Sequence, residues 1–174
     1  MRRSEFDAAV ARHGSRVLTL AVYLLGSRQE AEDVAQEVLI RLWTRGDEVD
    51  PSRIRAWLVR VTRNACIDRI RRVRIEAVRN RSPEVNEAEP IEPSPGPETL
   101  ARASQLGSRI RHALDELSEP HRSVVILREI QGLSYQEIAD ALEMTVGNVR
   151  VTLHRGRRRL RHELREVQNH VAAC

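Results

Sequence analysis

Apolar residues recur along this chain in the three- and four-residue steps of helices that bury one face. From Ala31 they fall at Val34, Ala35, Val38, Leu39, Leu42 and Trp43, which predicts an amphipathic helix with these side chains in a core. Phe6 to Leu25 supplies a preceding helix, and Gly26 stands where a left-handed C′ glycine would end it. A polar stretch from Thr44 to Arg53 follows, punctuated by Gly46 and Pro51, and Ser52 is the candidate N-cap of a third helix. Along that helix Ile54, Trp57, Leu58, Val61 and Ala65 form one apolar stripe, and Val59, Cys66 and Ile70 a second.

The second half repeats the helical period with sharper punctuation. Ala113, Leu114 and Leu117 close one helix, Ser118 caps the next ahead of Pro120, and Val124, Val125, Leu127, Ile130 and Leu133 continue the core up to a stop at Gly132. Ser134-Tyr135-Gln136-Glu137 has the form of a capping box, opening a short helix buried through Ile138, Ala139 and Leu142. Thr145 caps a longer helix anchored by Val149, Leu153, Leu160 and Leu164. A short helix, a tight turn and a longer helix, with the small Ala139 at the crossing, give helix-turn-helix spacing. No alternating strand run interrupts either half, so the expected fold is all-α.

Between the halves, residues 83–99 hold five of the seven prolines and no apolar period, a composition that cannot offset its ordering entropy. The expected organisation is therefore two small helical domains, 1–82 and 100–167, joined by an acidic Pro-rich linker at 83–99 and followed by a tail at 168–174. Charge follows the same divisions. All 29 basic residues are Arg, and the net +4 splits into +6 over residues 1–82, −5 over 83–99 and +3 over 100–174. Arginine forks onto phosphates and guanine edges, so two basic modules flanking an acidic strap point toward nucleic acid.

Three polar faces carry candidate chemistry. The second helix turns Asp33, Gln36, Glu37, Ile40 and Arg41 away from its apolar stripe. This pattern fits a solvated face, and it also fits a docking face for a basic partner, because Ile40 is apolar where solvent would favour a polar side chain. The third helix carries a line of Arg53, Arg60, Asn64 and Arg71, thickened by Arg63, Arg69, Arg72 and Arg74; arginine neutralises phosphate while asparagine can pair with a base edge. The last helix exposes Asn148, Arg150, Val151, His154, Arg155 and Arg158, with arginines for guanine and Val151 for a thymine methyl.

Taken together these segments resemble the extracytoplasmic-function (ECF) group of the sigma-70 family of RNA polymerase sigma factors. Residues 30–43 are similar to the part of region 2 that docks on the polymerase clamp, residues 56–72 to the helix that reads the minus-10 element, and residues 132–160 to region 4, which reads the minus-35 element. The resemblance implies that Asp33, Gln36, Glu37, Ile40 and Arg41 contact core RNA polymerase. It implies minus-10 DNA contacts at Arg45, Ser52, Arg53, Arg60, Arg63, Asn64 and Arg71, with the loop from Arg45 to Ser52 forming a pocket for a flipped base. The acidic strap corresponds to a linker that in that family runs toward the polymerase active-site cleft, while its composition fits a soluble spacer equally well. Three features depart from the family pattern: Glu143 stands where a glycine is usual in the turn, implying strain or a different turn; Val151-Thr152 replaces the commoner Ser-Arg pair, which leaves the minus-35 preference open; and Gly156 replaces a frequent alanine, loosening a long helix.

The function expected is a sigma factor that directs core RNA polymerase to promoter DNA and helps open the duplex, responsive to stress and restrained by an anti-sigma factor. The alternative is a free-standing dimeric helix-turn-helix regulator, which would need a dimerisation helix or ligand pocket where this chain places an acidic helix and an arginine-rich one. No enzyme is expected, since no convergent carboxylates, HExxH or nucleophile motif occur. No cofactor or metal is expected either; His170 and Cys174 alone do not make a zinc site. With two cysteines and no CxxC, no 18-residue apolar run and no signal-peptide core, the expectation is a cytoplasmic protein without membrane insertion.

Overall fold

A computed structural model describes residues 1–80 and 107–172, with side chains described through residue 76 in the first stretch and from 107 to 165 in the second. The strap and the Cys174 end of the tail lie outside the described residues. Those described form helices and short turns, with no strand among them. They divide into two compact units, one built on the first three helices and one on the last four.

In the first unit α1 spans Arg3–Leu25, α2 spans Arg28–Arg45 and α3 spans Ile54–Asn80. Gly26 ends α1 at φ +74°, with its N–H on the Val22 carbonyl at 2.9 Å, as the sequence anticipated. Ser27 then caps α2 by accepting from Glu30 N at 3.4 Å, so α2 begins a turn earlier than its apolar period. The three helices bury Val17, Leu20, Ala21 and Leu24 from α1, Ala31, Val34, Val38 and Leu42 from α2, and Leu58, Val59, Ala65 and Cys66 from α3.

Two expectations for this core need correction. Trp43 is 44% exposed, since α1 covers only one edge of its indole through Phe6, whose ring meets it edge-on at 5.1 Å and 81°. On α3 the two anticipated stripes merge into one, centred on Leu58, Thr62, Ala65 and Cys66, while Trp57 and Val61 are half-buried. Thr62 is fully buried because its hydroxyl donates to the Leu58 carbonyl at 2.7 Å; a satisfied hydroxyl enters a core at little cost.

Burial, and secondarily the nearby Glu30 carboxylate, pushes the Cys66 thiol up to about 12. Only thiolate is a useful nucleophile. In a Cys174→Ser background Cys66 should therefore resist alkylation at pH 8 in the native state and react promptly in denaturant. Equal rates in both states would show that the α2/α3 core is open.

The second unit comprises α4 (107–115), α5 (Glu119–Val125), α6 (Tyr135–Leu142) and α7 (Val146–Ala172). Beyond α5 the helix widens into a π turn, Ile126–Ile130, with Gln131 N on the Ile126 carbonyl at 3.0 Å. Ser123 through Leu127 are all buried, and Gly132 stops the element at φ +66°. Ser118 stands at the N-cap of α5, but its hydroxyl pairs with His121 Nδ1 at 2.8 Å and makes no side-chain cap bond to the backbone. Ile138, Ala139, Val149 and Leu153 are buried as expected; Leu142, Leu160 and Leu164 are half-buried. The backbone of α7 stays helical to Ala172, past residue 167 where the sequence placed the end of the module.

Gly156 has a different meaning here from a loosened helix. It is buried where α7 crosses α5, and a Cβ added there would lie 2.8 Å from Val125 Cγ2 and 3.3 Å from the His121 carbonyl. The missing side chain permits the crossing.

Candidate nucleic-acid and protein interfaces

On α2, Asp33, Gln36, Glu37, Ile40 and Arg41 all lie exposed along one side, and Ile40 is 64% accessible. Glu37 and Arg41 pair at 2.5 Å, while Arg69 of α3 reaches back to Glu30 at 3.2 Å and Asp33 at 3.7 Å. The carboxylates are partly compensated within the unit and still open to solvent. Ile40 does not stand alone, since with Phe6, Leu39 and Trp43, edged by Arg3 and Asp7, it lines a shallow apolar concavity. Sequence reasoning missed this extension because it assigned Trp43 to the core; the surviving signal was two large apolar residues three apart on a charged face.

The loop after α2 consists of two 3₁₀ turns, Gly46–Glu48 and Pro51–Arg53. Ser52 is not an N-cap. Asp50 takes that position and accepts from both Ser52 N at 2.8 Å and Ser52 Oγ at 2.7 Å. Those two bonds, the side-chain one foremost, hold the Asp50 carboxyl below the usual carboxylate range. Asp and Ser are comparable caps, and the proline between them favours the earlier residue. Arg45, Ser52, Arg53, Asn64 and Arg71 are exposed, and Arg60 and Arg63 half-buried. Arg71 stands apart, about 16 Å along α3 from Arg60.

In the second unit Ser134 and Glu137 close the anticipated capping box, with Ser134 N on Glu137 Oε2 at 2.7 Å and Glu137 N on Ser134 Oγ at 3.2 Å. The turn is made by Glu143 at φ +55°, among the described residues the only non-glycine in the left-handed region. Glu143 thus adopts a backbone conformation that glycine reaches without strain. Thr145 caps α7 by accepting from Asn148 N at 3.2 Å. Val149 and Leu153 anchor the helix inward, and Asn148, Arg150, Val151, His154, Arg155 and Arg158 all lie exposed. The basic face continues beyond the residues anticipated, through Arg161, His162 and Arg165.

The Glu143 geometry gives a clean test of backbone strain. A left-handed β-carbon costs about 1 kcal/mol or more relative to glycine. Glu143→Gly should accordingly be about 1 kcal/mol more stable than Glu143→Ala in denaturant unfolding, both variants lacking the carboxylate. Equal stability would place no strain at this turn.

Residues 9–75 match the Sigma-70 region 2 family, and residues 108–160 match the Sigma-70, region 4 family. Over 170 residues the sequence is 38% identical to the ECF RNA polymerase sigma factor SigE of Mycolicibacterium smegmatis, covering 96% of this chain and 64% of that protein. It is also 32% identical to the ECF sigma factor SigW of Bacillus subtilis, covering 87% of this chain and 84% of SigW. The chain belongs to the ECF group of the sigma-70 family. The structure of CnrH in complex with the cytosolic domain of CnrY superimposes with a TM-score of 0.70 at 26% identity, covering 95% of this chain and 90% of CnrH. In family terms the first unit is the sigma region 2 bundle and the second the region 4 helix-turn-helix. No helix among the described residues is long and apolar enough to cross a membrane.

Proposed function

We propose that this sigma factor is a promoter-specificity subunit, without catalytic activity of its own, that brings core RNA polymerase to promoter DNA in the cytoplasm. Asp33, Gln36, Glu37, Ile40 and Arg41 dock on the polymerase, their carboxylates meeting basic partner surface while the Ile40 side chain is desolvated. Arg45, Ser52, Arg53, Arg60, Arg63, Asn64 and Arg71 hold minus-10 DNA, the arginines on phosphates and Asn64 on a base edge. Asn148, Arg150, Val151, His154, Arg155 and Arg158 face the minus-35 element, with the N-terminal turns of α7 in the major groove. One observation carries this reading: a region 2 unit with an open acidic and apolar helix face precedes, in the same chain, a region 4 unit whose longer helix leaves its polar face exposed.

Stress-responsive restraint by an anti-sigma factor belongs to the same proposal. It is supported by CnrH, which a solved structure shows bound by a second protein, the cytosolic domain of CnrY. The deciding experiment is a pull-down with purified core polymerase followed by transcription from duplex promoters. Polymerase capture together with promoter-dependent RNA is expected, and failure to bind core enzyme would refute the proposal.

A further inference from the structure

A cluster of side chains stands beside α7, and of its members only Arg150 has been given a contact so far. The π turn delivers Arg128, whose Nη1 donates to the Leu133 carbonyl at 2.7 Å and whose guanidinium lies 4.9 Å from the centre of the Tyr135 ring. Arg150 lies over the same ring at 5.9 Å. Glu129, the next residue of the turn, accepts from Arg157 Nε at 2.8 Å and Nη2 at 2.6 Å. Arg157 is held toward its charged form first by the hydrogen bond to Glu129 and, further down, by one to the Tyr135 side chain. One tyrosine in the first turn of α6 thus stands against two guanidinium groups, Arg128 of the π turn and Arg150 of α7.

Arg150 is exposed, and an exposed arginine spreads over many rotamers, whereas forking onto a base edge requires one of them. A ring within about 6 Å of the guanidinium favours the rotamers that keep it there. Narrowing the free side chain toward its bound form strengthens binding without adding a contact. We infer that Tyr135 is a positioning residue, its ring holding the Arg150 guanidinium for reading duplex DNA. This rests on the reading of α7 as the DNA-reading helix.

The test uses the full chain assembled with core polymerase and a library of duplex promoters randomised across the minus-35 element, the bound fraction being sequenced. Arg150→Ala should flatten the preference at one position of the element. Tyr135→Leu should lower the preference at that same position about two- to fivefold, the range of an exposed cation–π contact. Tyr135→Phe, which keeps the ring, should retain it, and Tyr135→Leu added to Arg150→Ala should change nothing further. If Tyr135→Leu leaves the preference intact, or lowers binding by the same factor with and without Arg150, the inference is overturned, since a merely structural loss would be additive. If Arg150→Ala itself leaves every preference unchanged, the reading of α7 fails and the inference falls with it.

Discussion

Asp33→Arg combined with Glu37→Arg is expected to abolish binding to core RNA polymerase while the helical fold survives. Both carboxylates are more than half exposed, at 59% and 52% of their side chains, and neither contributes to the core. Within the chain the substitutions remove the Glu37–Arg41 pair and the longer Asp33–Arg69 approach, worth about 1 kcal/mol or less together given their exposure. Opposite a basic partner the same changes place like charges in contact, a penalty of several kcal/mol and hence roughly a hundredfold or more in affinity. Titration of labelled protein with core enzyme measures the loss, and circular dichroism with thermal melting establishes that α2 remains folded. Retained affinity would remove this face of α2 from the docking assignment.

The largest stability effect is expected at Gly156. Leucine there should destabilise region 4 by about 3 kcal/mol, the upper range for overpacking a close-packed crossing. The helix-propensity gain of about 1 kcal/mol on replacing glycine is too small to compensate. Val125 cannot move aside cheaply: it is 1% exposed and β-branched, and the next obstacle is the His121 backbone carbonyl. Gly156→Ala should be milder and should be relieved by Val125→Ala in a double-mutant cycle, because the two atoms compete for one space. Denaturant unfolding of the four proteins supplies the cycle. A Gly156→Leu protein as stable as its parent would mean that α5 and α7 cross less closely than described.

These two sites also show what a sequence discloses about such a fold. The exposed stripe on α2, the Gly26 and Gly132 stops, the Ser134 capping box and the Thr145 cap were all legible, because each depends on residues within four positions of one another. The departures depend on partners distant in sequence. Trp43 sits at the margin of its stripe, and whether a margin is buried depends on how far α1 extends across it. Thr62 reads as polar until its own helix satisfies the hydroxyl. Gly156 reads as a weak point in a helix until α5 is packed against it. The π turn leaves no trace in periodicity, so neither the placement of Arg128 and Glu129 nor their meeting with Tyr135 could be anticipated. The candidate DNA-facing residues were found through residue type and spacing.

The widened turn at Ile126–Ile130 also bears on which changes of length region 4 can absorb. A five-residue step holds one residue more than ordinary helical bonding requires. Deleting one residue there would let the backbone revert to four-residue bonding while Val124, Val125 and the stop at Gly132 keep their facing. The same deletion elsewhere in α5 would rotate the helix by about 100° and swing buried side chains outward. The turn thus acts as a reserve of chain length beside the helix-turn-helix. Drawing on it would release the tethers from Arg128 and Glu129 and leave the core in register.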